Sequence, residues 1–253
     1  MRLMQRRAAL LGGAILLALM FAVPASCANR DALRQIVQEQ CLIHWREQHS
    51  PAPCEEVDLP SPEHPDSGYA VLADRKGGAH FLLIPTGNIS GIESPALTGP
   101  DALNYFQAAW HAHDRLAAVV GHEVPRNAVG LAVNPLHARS QDQLHIHIEC
   151  LRPDVFDTLN RESARISTAW TPLTLGGARY QARKIADRDL ERDNPFKDLA
   201  SQMPEPDRTM GDYTLVLAGA EPPGGPAFIM LASSSAAGEL LLDSSCAAAS
   251  SAH

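Results

Sequence analysis

The sequence predicts an α+β fold in which helices lie against a mostly antiparallel sheet. Three observations lead there. Apolar stretches of strand length recur as strand–turn–strand units at 68–85 and 212–232, around short turns rich in glycine or proline. Two other stretches, 29–46 and 100–120, place apolar residues at helical spacing. Between them, residues 143–150 alternate polar and apolar without a break, the mark of a strand with one face on a core. A chain of 253 residues can bury one large core or two packed halves. Its formal charge of −8, with no Lys/Arg cluster beyond the first few residues, argues against nucleic acid as a partner.

Residues 1–28 read as a targeting segment. Arg2, Arg6 and Arg7 precede an apolar run from Ala8 to Val23, an arrangement that holds the N-terminus in the cytoplasm and exports the rest of the chain. The run is shorter than the roughly 20 residues usual for a spanning helix, and Ser26-x-Ala28 would serve as a cleavage site. An uncleaved anchor is the reading adopted, with a removable signal peptide as the alternative. Cys27 suggests a lipoprotein, but Pro24 stands where a lipobox wants Leu. Export leaves Cys41, Cys54, Cys150 and Cys246 in an oxidising compartment, where an even number implies two disulfides. Cys41 and Cys54 flank a short loop and form the local pair. That leaves Cys150 to meet Cys246, the alternative being a buried thiol at Cys150.

The helix over 29–46 carries Leu33, Ile36, Val37 and Cys41 on one stripe, and 51–67 is a proline-rich connection. Strands at 68–74 and 80–85 flank Lys76-Gly77-Gly78, and a loop with Thr86, Asn88 and Glu93 comes next. The helix over 100–120 turns Leu103, Phe106, Trp110 and Val120 inward, with His113 a core histidine and His111 on the surface. A strand at 128–134 runs through a turn at 135–141 into the histidine strand. Beyond it come a helix after Asp154, a strand at 180–185, a charged helix from Asp187 to about Met203 and the 212–232 unit, which echoes 68–85. Residues 247–253 read as disordered.

On the histidine strand, Gln143, His145, His147 and Glu149 share one face and Leu144, Ile146, Ile148 and Cys150 the other. Two imidazoles two residues apart on a strand stand about 7 Å from each other. Three readings fit: an exposed polar face, a metal pair completed by His137 or Glu149, and covalent catalysis by an imidazole attacking phosphorus. In the turn before it, Asn134, Arg139 and Ser140 could hold a phosphate, though Asn and Ser also suit ordinary turns. Arg152, just after the strand, reads equally as a phosphate ligand or as the partner of an acid.

The His80-Phe-Leu-Leu-Ile-Pro85 segment, with His145-Ile-His-Ile148 downstream of it, resembles the histidine-triad superfamily. Closer is its branch of bacterial membrane-anchored CDP-diacylglycerol pyrophosphatases. It shares the N-terminal apolar segment, Ile84 to Thr86, Gly91 to Pro95, and His-Ile-His-Ile followed by Cys-x-Arg-Pro-Asp-Val. The likeness runs from about residue 30 to 235.

That resemblance implies a histidine-triad-like sheet over 29–240, open to division into two similar halves, with a C-terminal tail at 241–253. It implies hydrolysis of CDP-diacylglycerol to CMP and phosphatidate through a cytidylyl-histidine, in phospholipid metabolism, without metal or other cofactor. The enzyme would be anchored in the inner membrane with its catalytic domain in the periplasm. Substrate and membrane are the implied partners, and a homodimer is one option for its assembly. In this register Ser140 lies five residues before His145, which makes His145 the nucleophile between Gln143 and His147. Gln143 would orient it, His147 would donate to the phosphate or leaving group, and Ser140, Asn134, Arg139 and Arg152 would hold phosphate oxygens. The other register, from Asn134, makes His147 the nucleophile and Glu149 the third position. Rival functions are a hydrolase or transferase of soluble nucleotides and a periplasmic metal-binding module using His145 and His147.

Overall fold

The computed structural model of the chain describes residues 29–250, positions 62 and 206 excepted. The anchor expected at 1–28 lies outside the described residues, and among these no helix is long and apolar enough to cross a membrane. Ten strands form one sheet: β1 Glu56–Asp58, β2 Tyr69–Ala73, β3 Phe81–Pro85, β4 Val129–Val133, β5 Ile146–Leu151, β6 Thr171–Leu175, β7 Ala178–Ala186, β8 Thr214–Ala220, β9 Ala227–Ser233 and β10 Leu242–Asp243. Their order is β1-β2-β3-β5-β4-β8-β9-β7-β6, with β10 on β5, and neighbours run antiparallel.

The order 2-3-5-4 is repeated as 6-7-9-8, and the two sets meet at the β4–β8 pair. In this arrangement the partner of the 69–85 hairpin is the 171–186 hairpin, while β8 and β9 correspond to β4 and the histidine strand β5. The echo between 68–85 and 212–232 is therefore corrected. β2, β3, β4, β8 and β9 are each apolar enough to pass for another, and the pairing tells them apart. One lateral row of directly opposed residues crosses the sheet: Leu72, Leu82, His147, Ala132, Val216, Leu231, Ala182 and Thr171. Opposed residues share a face, so this row defines the face on which the histidines stand. It also matches His147 on β5 with Leu231 on β9.

The opposite face carries the main core. Phe106, Leu116, Phe196 and Leu199 pack there on Leu83, Leu131, Ile148, Leu217 and Met230. The helix expected over 100–120 begins only at Tyr105, where Asn104 caps it by accepting from the Gln107 amide at 3.2 Å. It runs to His111, tightens through a 3-10 turn at Ala112–Asp114 and resumes over Arg115–Val120. His113 is partly buried there, stacked on Trp110 and bonded to its carbonyl. His111 is exposed.

Three further expectations give way. The long helix from Asp187 to Met203 is a 3-10 turn, Asp187–Asp189, followed by a short helix, Pro195–Ser201. Proline disfavours helical backbone before it and suits the first helical turn, so Asn194-Pro195 starts a helix and does not continue one. The connection at 51–67 contains edge strand β1. The tail is ordered to residue 250: β10 pairs with β5, and Ala247–Ser250 forms a helical turn with Ala248 and Ala249 buried.

On the histidine face the halves differ. Over the second half, Val155 and Leu159 of the helix Pro153–Glu162, with Ile166 and Leu241, close on Val216, Ile229 and Leu231. Over the first half lies the N-terminal helical segment, Ala32–Ile36, a wider π turn at Val37–Cys41, and Leu42–Gln48. Its Val37, Cys41 and Leu42 pack on Ala70, Leu72, Leu82 and Ile84 at the β2–β3 side, beside the histidines and not over them. Disulfides join Cys41 to Cys54 and Cys150 to Cys246, with Cα–Cα distances of 5.7 and 5.0 Å.

Candidate active site

The ladder of β5 begins at Ile146, so Gln143 and His145 stand in the approach to the strand and are not part of it. The alternation still holds. Ile146, Ile148 and Cys150 enter the main core, and His147 and Glu149 face the other way. A cleft of about 1060 Å³ opens over this face, and His145, His147, Asn134 and Ser140 are among its walls.

His145 is 8% exposed, and its Nδ1 lies 2.8 Å from the carbonyl oxygen of Gln143. A carbonyl only accepts, so Nδ1 carries the proton and Nε2 keeps a free lone pair. Burial lowers this imidazole below its usual value, which keeps the ring neutral at neutral pH. Gln143 in turn is fixed by its Nε2, which donates to the carbonyls of Pro85 and Gly87 at 2.9 and 2.8 Å. Its side chain braces the end of β3 and does not line the cleft.

His147 is anchored through one of its nitrogens. Its Nδ1 lies 3.0 Å from Nε2 of His80, which begins the next strand's apolar run, and its Nε2 lies 3.5 Å from Glu239. His80 Nε2 is also 3.2 Å from Glu149, and its Nδ1 is 3.9 Å from Asp74. Burial pushes His147 far down, helped by the neighbouring His145 and His80. Burial also pushes Glu149 up to about 8, with Glu239, Asp74 and Asp243 adding repulsion. At neutral pH the group is thus an array of neutral rings beside a protonated carboxyl.

Glu239 reaches the site because residue 238 is glycine. A Cβ there would stand 2.5 Å from Thr214 Oγ1 and 2.7 Å from Val216 Cγ2. The segment 238–241 can therefore press onto the sheet beside Ala132, and the Glu239 amide donates to Asn134 Oδ1 at 3.3 Å.

The expected phosphate ligands divide. Asn134 and Ser140 line the cleft. Arg139 does not: its guanidinium is buried against Gly91 and bound to Glu93 at 2.5 Å and Asp142 at 3.2 Å. Arg152 pairs with Asp154 at 2.7 Å and donates to the Leu240 carbonyl at 2.8 Å, outside the cleft. The cations that do border it are Arg75 and Lys76, from the turn between β2 and β3. The sequence reading missed His80, Glu239 and this pair as site groups. His80 had a signal, as an ionisable residue opening an otherwise apolar run. Glu239 had none, because a sheet-spanning contact 92 residues from His147 leaves no local trace.

His80, His147 and Glu149 offer ligand atoms within 4.8 Å of one another, a donor set that suits zinc or a similar ion. His145 and the exposed His137 are not in that set, which redraws the metal-ligand group expected from the sequence. Among known families, one described as CDP-diacylglycerol pyrophosphatase matches residues 28–250.

Proposed function

On the premise that the chain belongs to the CDP-diacylglycerol pyrophosphatase family, and so hydrolyses the diphosphate bond of that lipid, we propose that cleavage passes through a cytidylyl-histidine on His145. The observation that carries this is the bond from His145 Nδ1 to the Gln143 carbonyl, which leaves Nε2 as a neutral nucleophile at the cleft. A neutral ring approaches an anionic diphosphate without the repulsion that hydroxide meets.

In the first step the Nε2 lone pair forms a bond to the α-phosphorus. The bond from that phosphorus to the bridging oxygen breaks, and the electron pair leaves with phosphatidate. With its Nδ1 accepting from the His80 Nε2–H, His147 carries its own proton on Nε2 and hydrogen-bonds the oxygen that gains charge. In the second step a water oxygen bonds to phosphorus and the N–P bond breaks. CMP is released, the lone pair returns to His145, and the water's proton goes to the departing or neighbouring phosphate oxygen. Ser140 and Asn134 orient phosphate oxygens, and Arg75 and Lys76 supply positive charge at the mouth. The arrangement is histidine-triad-like with Gln143 in a bracing place, and the enzyme works at a membrane surface through the segment at 1–28.

The test is direct. Full-length protein in detergent, given CDP-diacylglycerol, should release CMP and yield an acid-labile cytidylyl adduct that maps to His145 and is absent from His145→Ala. An adduct on His147 would move the nucleophile. The close grouping of His80, His147 and Glu149 favours one second reading, a metal-binding module. Stoichiometric zinc or copper and no CMP release would establish it, whereas the hydrolase should keep its rate in excess chelator.

A further inference from the structure

The cleft has two chemically distinct ends. His145, Asn134 and Ser140 make one of them polar, while Asp74, Arg75 and Lys76 of the turn between β2 and β3 line the cleft on the Glu149 side. The other runs away from the histidines across the sheet. In the lateral row His147 is followed by Leu82 on β3 and then Leu72 on β2, and adjacent strands are about 4.8 Å apart. The floor is thus apolar from about 5 Å to about 10 Å beyond the histidine strand. Above it stand Leu33 and Ile36 of the N-terminal helical segment, partly buried against the same residues and also lining the cleft.

This roof is held in place. The Leu33 amide donates to Gln141 Oε1 at 3.1 Å, Arg30 binds Asp142 at 2.7 Å, and the Cys41–Cys54 bridge fixes the far end of the segment to the loop carrying Pro53. Only residues 24–28 separate the apolar run 8–23 from Asn29, a stretch that spans at most about 20 Å.

We infer that the lane between Leu72 and Leu82 below and Leu33 and Ile36 above is the lipid subsite, taking the glycerol and the first acyl carbons of CDP-diacylglycerol. The inference rests on the hydrolase reading and adds which residues set its preference for a lipid. A diphosphate seated at His145 places its alcohol one phosphate group away, which is the distance at which the floor turns apolar. The nucleotide then lies toward Asn134 and Ser140. The corresponding row in the second half offers no such lane, because Val155 and Leu159 cover Leu231.

The experiment compares two monomeric substrates, CDP-dioctanoylglycerol and CDP-dibutyrylglycerol, with full-length wild type and with the Leu33→Ser/Ile36→Ser double variant. Wild type should prefer the longer chains by at least tenfold in kcat/KM, and the double variant should bring that ratio close to one. Ile36→Gln alone, a milder change at a partly exposed position, should lower the ratio by a few fold and serves if the double variant does not fold. A wild type indifferent to chain length, or variants that keep its preference, would overturn the subsite. Hydrolysis of neither substrate by wild type would instead remove the hydrolase reading.

Discussion

The two halves of the sheet share a strand order, yet one face is finished in opposite ways. Where β5 and the residue leading into it carry His145, His147 and Glu149, the matching positions on β9 are Ile229, Leu231 and Ser233. Ile229 and Leu231 are fully buried beneath Val155, Leu159 and Leu241. Each such side chain contributes about 2 kcal/mol on burial, so the second half stabilises itself. In the first half the same face buries ionisable groups, which gain nothing from leaving water unless partnered. Both disulfides fall there. Cys41–Cys54 pins the partial cover, and Cys150–Cys246 ties β5 to the chain just after β10. Cross-links of this kind typically add about 2–4 kcal/mol, of the order needed to offset a polar face. One frame thus serves as an apolar foundation on one side and as the proposed reaction site on the other.

The sharpest way to break that comparison is to exchange the roles of matched positions. His145→Ala should lower kcat by about 10⁴-fold or more, since the proposed covalent route disappears with its nucleophile, while the unfolding temperature changes little. Leu231→Ala, in the matching row, should lose about 2–5 kcal/mol of stability and leave kcat of the folded fraction within a few fold. Steady-state kinetics beside calorimetry would read both, and a large kinetic effect at Leu231 would dissolve the contrast. Next in size are His147→Ala and His80→Ala. Each should cost about 10²–10³-fold in kcat, the range of a lost general acid or of its positioning. His80→Ala should act through kcat with little change in KM, because His80 touches His147 and is not among the cleft-lining residues.

How much of this could be read from the chain depends on the range of the interactions involved. The alternation from Gln143 to Cys150 told which side chains share a face because a strand's period is two, and the cysteines paired as their order suggested. The site's outer parts were not readable. Glu239 arrives by way of Gly238 pressing on the middle of the sheet. Arg139, read as a phosphate ligand, is taken by Glu93 and Asp142. An isolated arginine in a turn has no local mark that tells an ion pair from a ligand. The matching of the halves was hidden for another reason: Ala227–Ser233 is apolar on both faces, so it carries no periodicity to align with β5.

The smallest effect concerns Glu149, whose place in the second half is taken by the neutral Ser233. Burial and the acids around it push this carboxyl up to about 8, against about 4.3 in an unfolded chain. Between those values the folded protein keeps a proton that the unfolded chain has released. The stability from this group is therefore complete below about pH 4 and declines as pH rises toward 8. Glu149→Gln retains the shape of the neutral acid and cannot ionise, so it should remove that slope. Calorimetry should find the variant and wild type alike near pH 4 and the variant higher by several degrees at pH 8.5. A variant less stable across the whole range would mean that the carboxylate is charged in the folded protein and supports His80. The polar face of the first half would then be held by an ion pair, and its contrast with the second half would be one of charge as well as of cover.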